Sequence, residues 1–177
     1  MLAAFAEQVA NGLMMGSIYV LVALGMVLIY GVMHVVNFAH GVLFMVGGYV
    51  CHFVIARLLA PVFGPGSLAA YAIAVPLTMA ILAAIGVVIE RGVFRPLAGN
   101  LRNQVIASLG LILAIENLVV ALAGPNALSI AVPTTEIHFD AGPLRFSMQQ
   151  VLVVVLTAVA VAALALWLAR SRFGTAI

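Results

Sequence analysis

Forty-nine consecutive residues, Gln8 to Ala56, contain no Lys, Arg, Asp or Glu. One crossing of the hydrocarbon core takes about 20 helical residues, so this run is long enough for two. Comparable apolar stretches recur downstream, and the pattern predicts five helices at roughly 9–30, 36–59, 68–94, 103–123 and 148–169. Pro61, Gly64, Pro65 and Gly66 are expected to break the chain after the second helix. Gly92 and Pro96, beside Arg91, Arg95 and Arg102, are expected to close the third, and Gly124 with Pro125 the fourth. Pro76 falls inside the third helix, where a kink is expected and a neighbouring helix meets the freed carbonyl.

Composition removes the soluble alternative. The chain is 66% apolar and 7% charged, whereas a soluble domain carries about 25% charged residues. The expected fold is an all-α, polytopic transmembrane helix bundle of about five spans. Its cationic side chains are seven arginines and no lysine, with a formal net charge of +2, too dilute for a nucleic-acid surface. Cys51 is the single cysteine, which rules out an intrachain disulfide and leaves a zinc knuckle without support. Glu7, rather than a basic segment, precedes the first apolar stretch, so that stretch reads as a retained span and not a cleaved signal.

The arginines orient the spans. Arg91, Arg95 and Arg102 flank one connection, and Arg170 and Arg172 follow the last helix; with five spans, both clusters fall on one side. Arginine excess marks the cytoplasmic side, which predicts the N-terminus outside and the C-terminus inside. The outer loop from Gly124 to Ser147 alternates polar and apolar residues at Thr135–Phe139 and Leu144–Phe146 around Asp140-Ala-Gly-Pro143. That is a short hairpin, expected on the membrane surface as a lid over helix ends or a docking site for a soluble partner.

Polar residues inside the apolar runs are the candidates for function. Asn37 and His40 are three apart, on one face if helical, and Gly41, Gly47 and Gly48 share their segment. Two layouts fit. Either Tyr30 to Val36 is a tight turn with Asn37 capping the second helix, or the segment dips into the membrane as a broken helix facing a cavity. A metal site built from His34, His40 and His52 is the weaker reading, since no acid lies nearby in sequence and the spacing fits no familiar ligand pattern. Glu116, followed by Asn117, is the one acid expected deep in a span. A charge there costs about 2.5–3.5 kcal/mol on insertion scales, so it should face the bundle interior or be protonated. It reads as a path lining, as a partner for a charge on another subunit, or as a carboxylic acid bonded to a neighbouring helix. Gly12 and Gly16, followed by Ser17, form a GxxxG pair, and Gly110 with Ala114 and Ala158 with Ala162 repeat the spacing; these read as helix-packing stripes. No HExxH, GxSxG or Walker motif is present, so neither catalysis nor direct ATP binding is expected, and no cofactor or metal.

These residues, taken in order, resemble a family. Asn11-Gly-Leu-Met-Met-Gly-Ser-Ile-Tyr19, Ala23-Leu-Gly25, Tyr30-Gly31, Val36-Asn-Phe-Ala-His-Gly41, Met45 and Gly47-Gly-Tyr49 are similar to the opening of bacterial branched-chain amino acid ABC importer permeases of the "H" type. Glu90-Arg-Gly-Val-Phe-Arg-Pro-Leu97, Ile106-Ala-Ser-Leu-Gly-Leu111, Gly124 and Pro133 continue the likeness. The resemblance implies a multi-pass inner-membrane permease paired with a second permease subunit, two cytosolic ATPase subunits and a periplasmic solute-binding protein. The chain would line the solute path and perform no chemistry, with Asn37, His40, Gly41, Ser17, Tyr30, Glu116 and Asn117 as path candidates. Two departures accompany it. Val42 stands where the family often has an acid, which bears on recognition of a solute ammonium. The family also runs well past this length, so residues 1–177 are expected to form one permease domain incomplete at its C-terminal end, short of the ATPase-coupling segment. Urea or short-chain amide permeases share the broad pattern, and Phe38 leans toward the amino acid branch. A proton- or ion-coupled transporter or channel using Glu116, and a non-transporting membrane scaffold, are the readings from other classes.

Overall fold

The computed structural model of the chain describes residues 2–33, 35–126, 128–130, 138–141 and 144–170. Among them, five helices are long and apolar enough to cross a membrane: Glu7–Gly31, His40–Phe63, Leu68–Leu97, Leu101–Ala123 and Met148–Leu166. The chain is a multi-pass membrane protein. Its residues separate into two compact groups, Met1–Val32 with Val132–Ile177, and Met33–Ala131.

In the first group, helix α1 (Leu2–Met33) starts before the expected residue 9 and continues past Tyr30. Nothing in Leu2–Gln8 stops a helix, and Tyr30-Gly-Val-Met33 extends the apolar run without a proline. Its 32 residues reach about 48 Å, beyond the ~30 Å of hydrocarbon, so it tilts or projects into the interface. Strands β1 (His138–Ala141) and β2 (Leu144–Ser147) pair antiparallel, with His138 opposite Ser147 and Ala141 opposite Leu144. The hairpin expected from the alternation is therefore present, while its Thr135–Ile137 portion lies outside the described residues. Helix α6 (Met148–Arg170) follows directly. Ser147 caps it reciprocally: its Oγ accepts from the Gln150 N–H at 3.3 Å, and Gln150 Oε1 accepts from the Ser147 N–H at 3.1 Å. The Gln150 amide also donates to Asn11 Oδ1 at 2.6 Å, tying α6 to α1.

In the second group, two prolines fail to end their helices where the sequence places the breaks. Helix α2 (His40–Phe53) widens into a π-type turn at Val54–Leu59, where the Ala60 N–H donates to the Ile55 carbonyl five residues back. It then continues through Pro61 as α3 (Ala60–Phe63). Helix α4 (Leu68–Ile89) does the same at Glu90–Phe94, with the Arg95 N–H reaching the Glu90 carbonyl, then tightens to a 3₁₀ turn at Arg95–Leu97 containing Pro96. So the span passes Gly92 and ends at Leu97. A proline ring collides with the carbonyl four residues earlier in a regular α-helix; a wide turn placed just before it shifts those carbonyls and lets the helix proceed. The real stops are Gly64 and Gly124, at φ 83° and 81°, conformations that a side chain disfavours. Pro76, by contrast, sits within an unbroken α4. Helix α5 (Leu101–Ala123) starts slightly before the expected residue 103 because Asn100 caps it, its Oδ1 accepting from the Asn103 N–H at 3.2 Å.

The core of this group is Val54, Ile55 and Leu59 from the wide turn against Ala70 and Ala74 of α4, with Val50, Cys51, Tyr71, Ile81 and Ile130 around them. Small alanines four apart let the bulging turn come close. Higher on the same pair of helices, a Cβ built on Gly47 would lie 3.1 Å from Leu82 Cδ2, whereas one on neighbouring Gly48 meets nothing within 4 Å. Gly47→Val should therefore lower stability by about 1–3 kcal/mol through overpacking, with Gly48→Val well below that, measured by thermal unfolding in detergent. Equal losses would mean that the α2–α4 approach does not depend on Gly47.

Candidate functional site

The polar motif sits where α2 begins. Asn37 is 8% exposed, and its Oδ1 accepts from the Ala39 N–H at 2.9 Å while its carbonyl accepts from the His40 N–H at 3.4 Å. The amide thus closes a local turn. The helix itself starts at His40 after Ala39, which already has helical backbone angles (φ −72°, ψ −1°) and whose carbonyl accepts from the Leu43 N–H at 3.0 Å. This corrects the cap-and-turn layout in two respects: Tyr30 belongs to α1, and Asn37 shapes the approach without being the cap residue. His34 lies outside the described residues.

A residue that the sequence reading passed over holds this turn in place. Gln104 is 2% exposed; its Oε1 accepts from the Val36 N–H at 3.3 Å, and its Nε2 donates to the Leu97 carbonyl at 3.2 Å. One amide from α5 therefore satisfies a backbone donor before α2 and a backbone acceptor after α4. Ser108, one turn further, is fully buried and bonds the Val105 carbonyl at 2.8 Å. The signal was available: Gln104 and Ser108 are polar, four apart, and enter an otherwise apolar helix.

The remaining candidates do not converge on that turn. Ser17 is buried, but its hydroxyl donates to its own helix at Leu13 O, 2.8 Å away. Asn117 likewise donates to Leu113 O at 2.7 Å. Both bonds satisfy the side chain locally, as apolar surroundings require. Tyr30 and Gly41 are exposed. Glu116 is exposed as well, contrary to the expected interior position: α5 turns its Gln104–Ser108 face inward, which leaves Glu116, Asn117, Gly110 and Ala114 on its outer side. Gly12, Gly16 and Gly110 have no atom within 4 Å of an added Cβ, so within the described chain the close helix approach falls to Gly47 instead. Among the described residues, no three His, Cys, Asp or Glu side chains gather as metal ligands.

A cavity of about 250 Å³ opens on another face of α2, lined by Met45, Gly48, Tyr49 and His52 and by Leu128 and Ile130 after α5. His52 Nδ1 lies 3.1 Å from the Ser129 carbonyl. A carbonyl only accepts, so Nδ1 carries the hydrogen, and in the neutral ring Nε2 is left as an acceptor. Phe53 meets the His52 ring edge-on, with centroids 5.6 Å apart.

Residues 8–177 match the family described as "Branched-chain amino acid transport system / permease component". The chain belongs to this permease family. It is 33% identical over 184 residues to the high-affinity branched-chain amino acid transport system permease protein BraD of Pseudomonas aeruginosa, covering 97% of this chain and 57% of BraD. It is 30% identical over 179 residues to the corresponding protein LivH of Escherichia coli K12, with the same coverage. A Salmonella typhimurium LivH is 29% identical over 182 residues. The chain thus spans 57% of the length of these curated relatives. No solved structure matches it. Val42, which follows the His40-Gly41 pair, is 7% exposed, so its apolar side chain faces inward.

Gln104→Leu would strand the Val36 N–H, at a cost of about 1–3 kcal/mol, while the Leu97 carbonyl would lose one of its two donors and keep the Asn100 N–H at 3.1 Å. Its thermal midpoint in detergent and its abundance should both fall, and Gln104→Glu, which keeps only the acceptor, should fall between it and the wild type. Asn37→Asp preserves the acceptor for Ala39 and should stay near wild type in the same assay, while Asn37→Ala should lose about 1 kcal/mol. A stable Gln104→Leu protein would show that the α2 approach is held by other contacts.

Proposed function

We propose that this chain is the membrane-spanning part of an ABC importer that carries branched-chain or related amino acids across a bacterial inner membrane. Separate cytosolic ATPases energise it, a second permease subunit pairs with it, and a periplasmic binding protein delivers the solute. The reading rests on one observation above all: family likeness that runs without interruption over residues 8–177, in a chain whose five long apolar helices are the element type a permease needs. The chain lines the path and carries out no chemistry of its own.

The arginine distribution supports the N-terminus outside and the C-terminus inside. In that orientation the Gln104 joint, near Arg95 and Arg102, lies at the cytoplasmic face, and the hairpin before α6 faces the binding protein. Asn37 and His40 then act at the inner mouth of the path, which opens and closes as the bundle rocks between inward and outward forms. Glu116 and Asn117 lie on an outward side of α5, in position for a contact with the second permease subunit.

Uptake of labelled leucine in cells expressing the complete system tests this. With the ion gradient clamped, ATP depletion should reduce uptake to background. Uptake that survives ATP depletion and follows the gradient would replace the importer reading with an ion-coupled transporter.

A further inference from the structure

The cavity on α2 has no role in the fold. Its helical wall, Met45, Gly48, Tyr49 and His52, is one face at i, i+3, i+4 and i+7, and the opposite wall is Leu128 and Ile130. Counting from His40 in the span His40–Phe63, Gly48 lies about 12 Å and His52 about 18 Å along an axis of about 36 Å. The cavity therefore lies inside the span, with Gly48 about a third of the way along and His52 near the midpoint.

Three features of this place differ from ordinary helix packing. First, the Leu128–Ile130 segment is not helical, yet it lies beside His52 at this depth, with its Ser129 carbonyl bonded to the imidazole. Irregular backbone at membrane depth is tolerated where protein covers it or where it lines a water-filled cavity. Secondly, the two adjacent glycines divide the work: Gly47 lets α4 approach, while the space above Gly48 is empty. Thirdly, among the described residues the lining combines apolar Met45, Leu128 and Ile130 and the bare backbone of Gly48 with two polar-tipped side chains, Tyr49 and His52. A mostly apolar pocket with a few polar groups orients a ligand that has an apolar body and a polar head. At about 250 Å³ it is smaller than the ~300–1,000 Å³ typical of drug-sized ligands, which suits a single small solute.

We propose that this cavity receives the aliphatic side chain of the transported amino acid, seated over Gly48 between Met45, Leu128 and Ile130, with the polar head toward Tyr49 and His52. The inference rests on the importer reading and adds the place in this chain where solute size is read. It also moves solute contact away from Asn37, whose Oδ1 accepts from the Ala39 N–H.

Gly48→Ala and Gly48→Val in the full transport system test it, with competing uptake of leucine and alanine as the measurement. A Cβ at this position meets no atom within 4 Å, which leaves room for Gly48→Ala, and abundance and detergent melting check the fold of both variants independently. Filling the floor should raise the leucine KM relative to that of alanine by roughly 10-fold or more in Gly48→Val, the range for about one methylene in a hydrophobic pocket. Gly48→Ala should shift the ratio in the same direction by less. Parallel changes for both solutes, or none, in a transporter whose wild type imports leucine would overturn this assignment and leave the importer reading intact. A wild type that imports no aliphatic amino acid would overturn both.

Discussion

Hydrocarbon offers no hydrogen bonds, so every backbone N–H and C=O inside it must find a partner in the protein. That requirement explains more of this chain than hydrophobic burial does. Side chains such as Phe44, Leu113 and Val155 remain more than half exposed because lipid is as good a solvent for them as a protein core is. What must be arranged are the places where a helix starts, stops or meets a proline. Each such place here has an identifiable solution: the Asn100 cap, the reciprocal Ser147–Gln150 cap, the wide turns before Pro61 and Pro96, and the Gln104 amide that serves two segments at once.

The spans were legible in the sequence because length and the absence of charge decide them, and the hairpin because alternation around Asp140–Pro143 is a local signal. The breaks were less so. Pro61 and Gly92 look like terminators, yet the helices continue, since a local change of hydrogen-bond register removes the steric conflict that makes proline a terminator. A register change leaves no mark in composition. Gln104 was hidden for a different reason: it lies beside Arg102 and Asn103, and a polar cluster at a helix start reads as an interface before it reads as a joint. Glu116 shows the converse. Its cost in lipid predicts an inward position, but the phase of α5 is set by Gln104 and Ser108, and one buried face cannot include all three.

The candidate site divides in two as a result. At one end of α2, the Asn37 turn and Gln104 form a hydrogen-bonded joint. Further along, the same helix presents Gly48, Tyr49 and His52 to open space. Family membership carries the importer reading, while the geometry separates residues that hold the frame from those available to a solute. Motif residues such as Asn37 belong to the first set in this structure, which is why the motif alone is a poor guide to specificity.

The two wide turns have a further consequence for how such helices are read. Each one takes up roughly one residue more than an α-turn does, and one residue is about 100° of rotation. The side chains before and after Val54–Leu59 therefore follow separate angular clocks. A helical wheel drawn in one piece from His40 to Phe63 assigns the second half to the wrong side. Physically, the offset decides which side chains each half of the rod brings to the same neighbour: the first half meets α4 where Gly47 faces Leu82, and the wide turn sets Val54, Ile55 and Leu59 against Ala70 and Ala74. Inserting or removing one residue within that turn would reset the clock, and with it the side chains that the far half of the rod presents to α4.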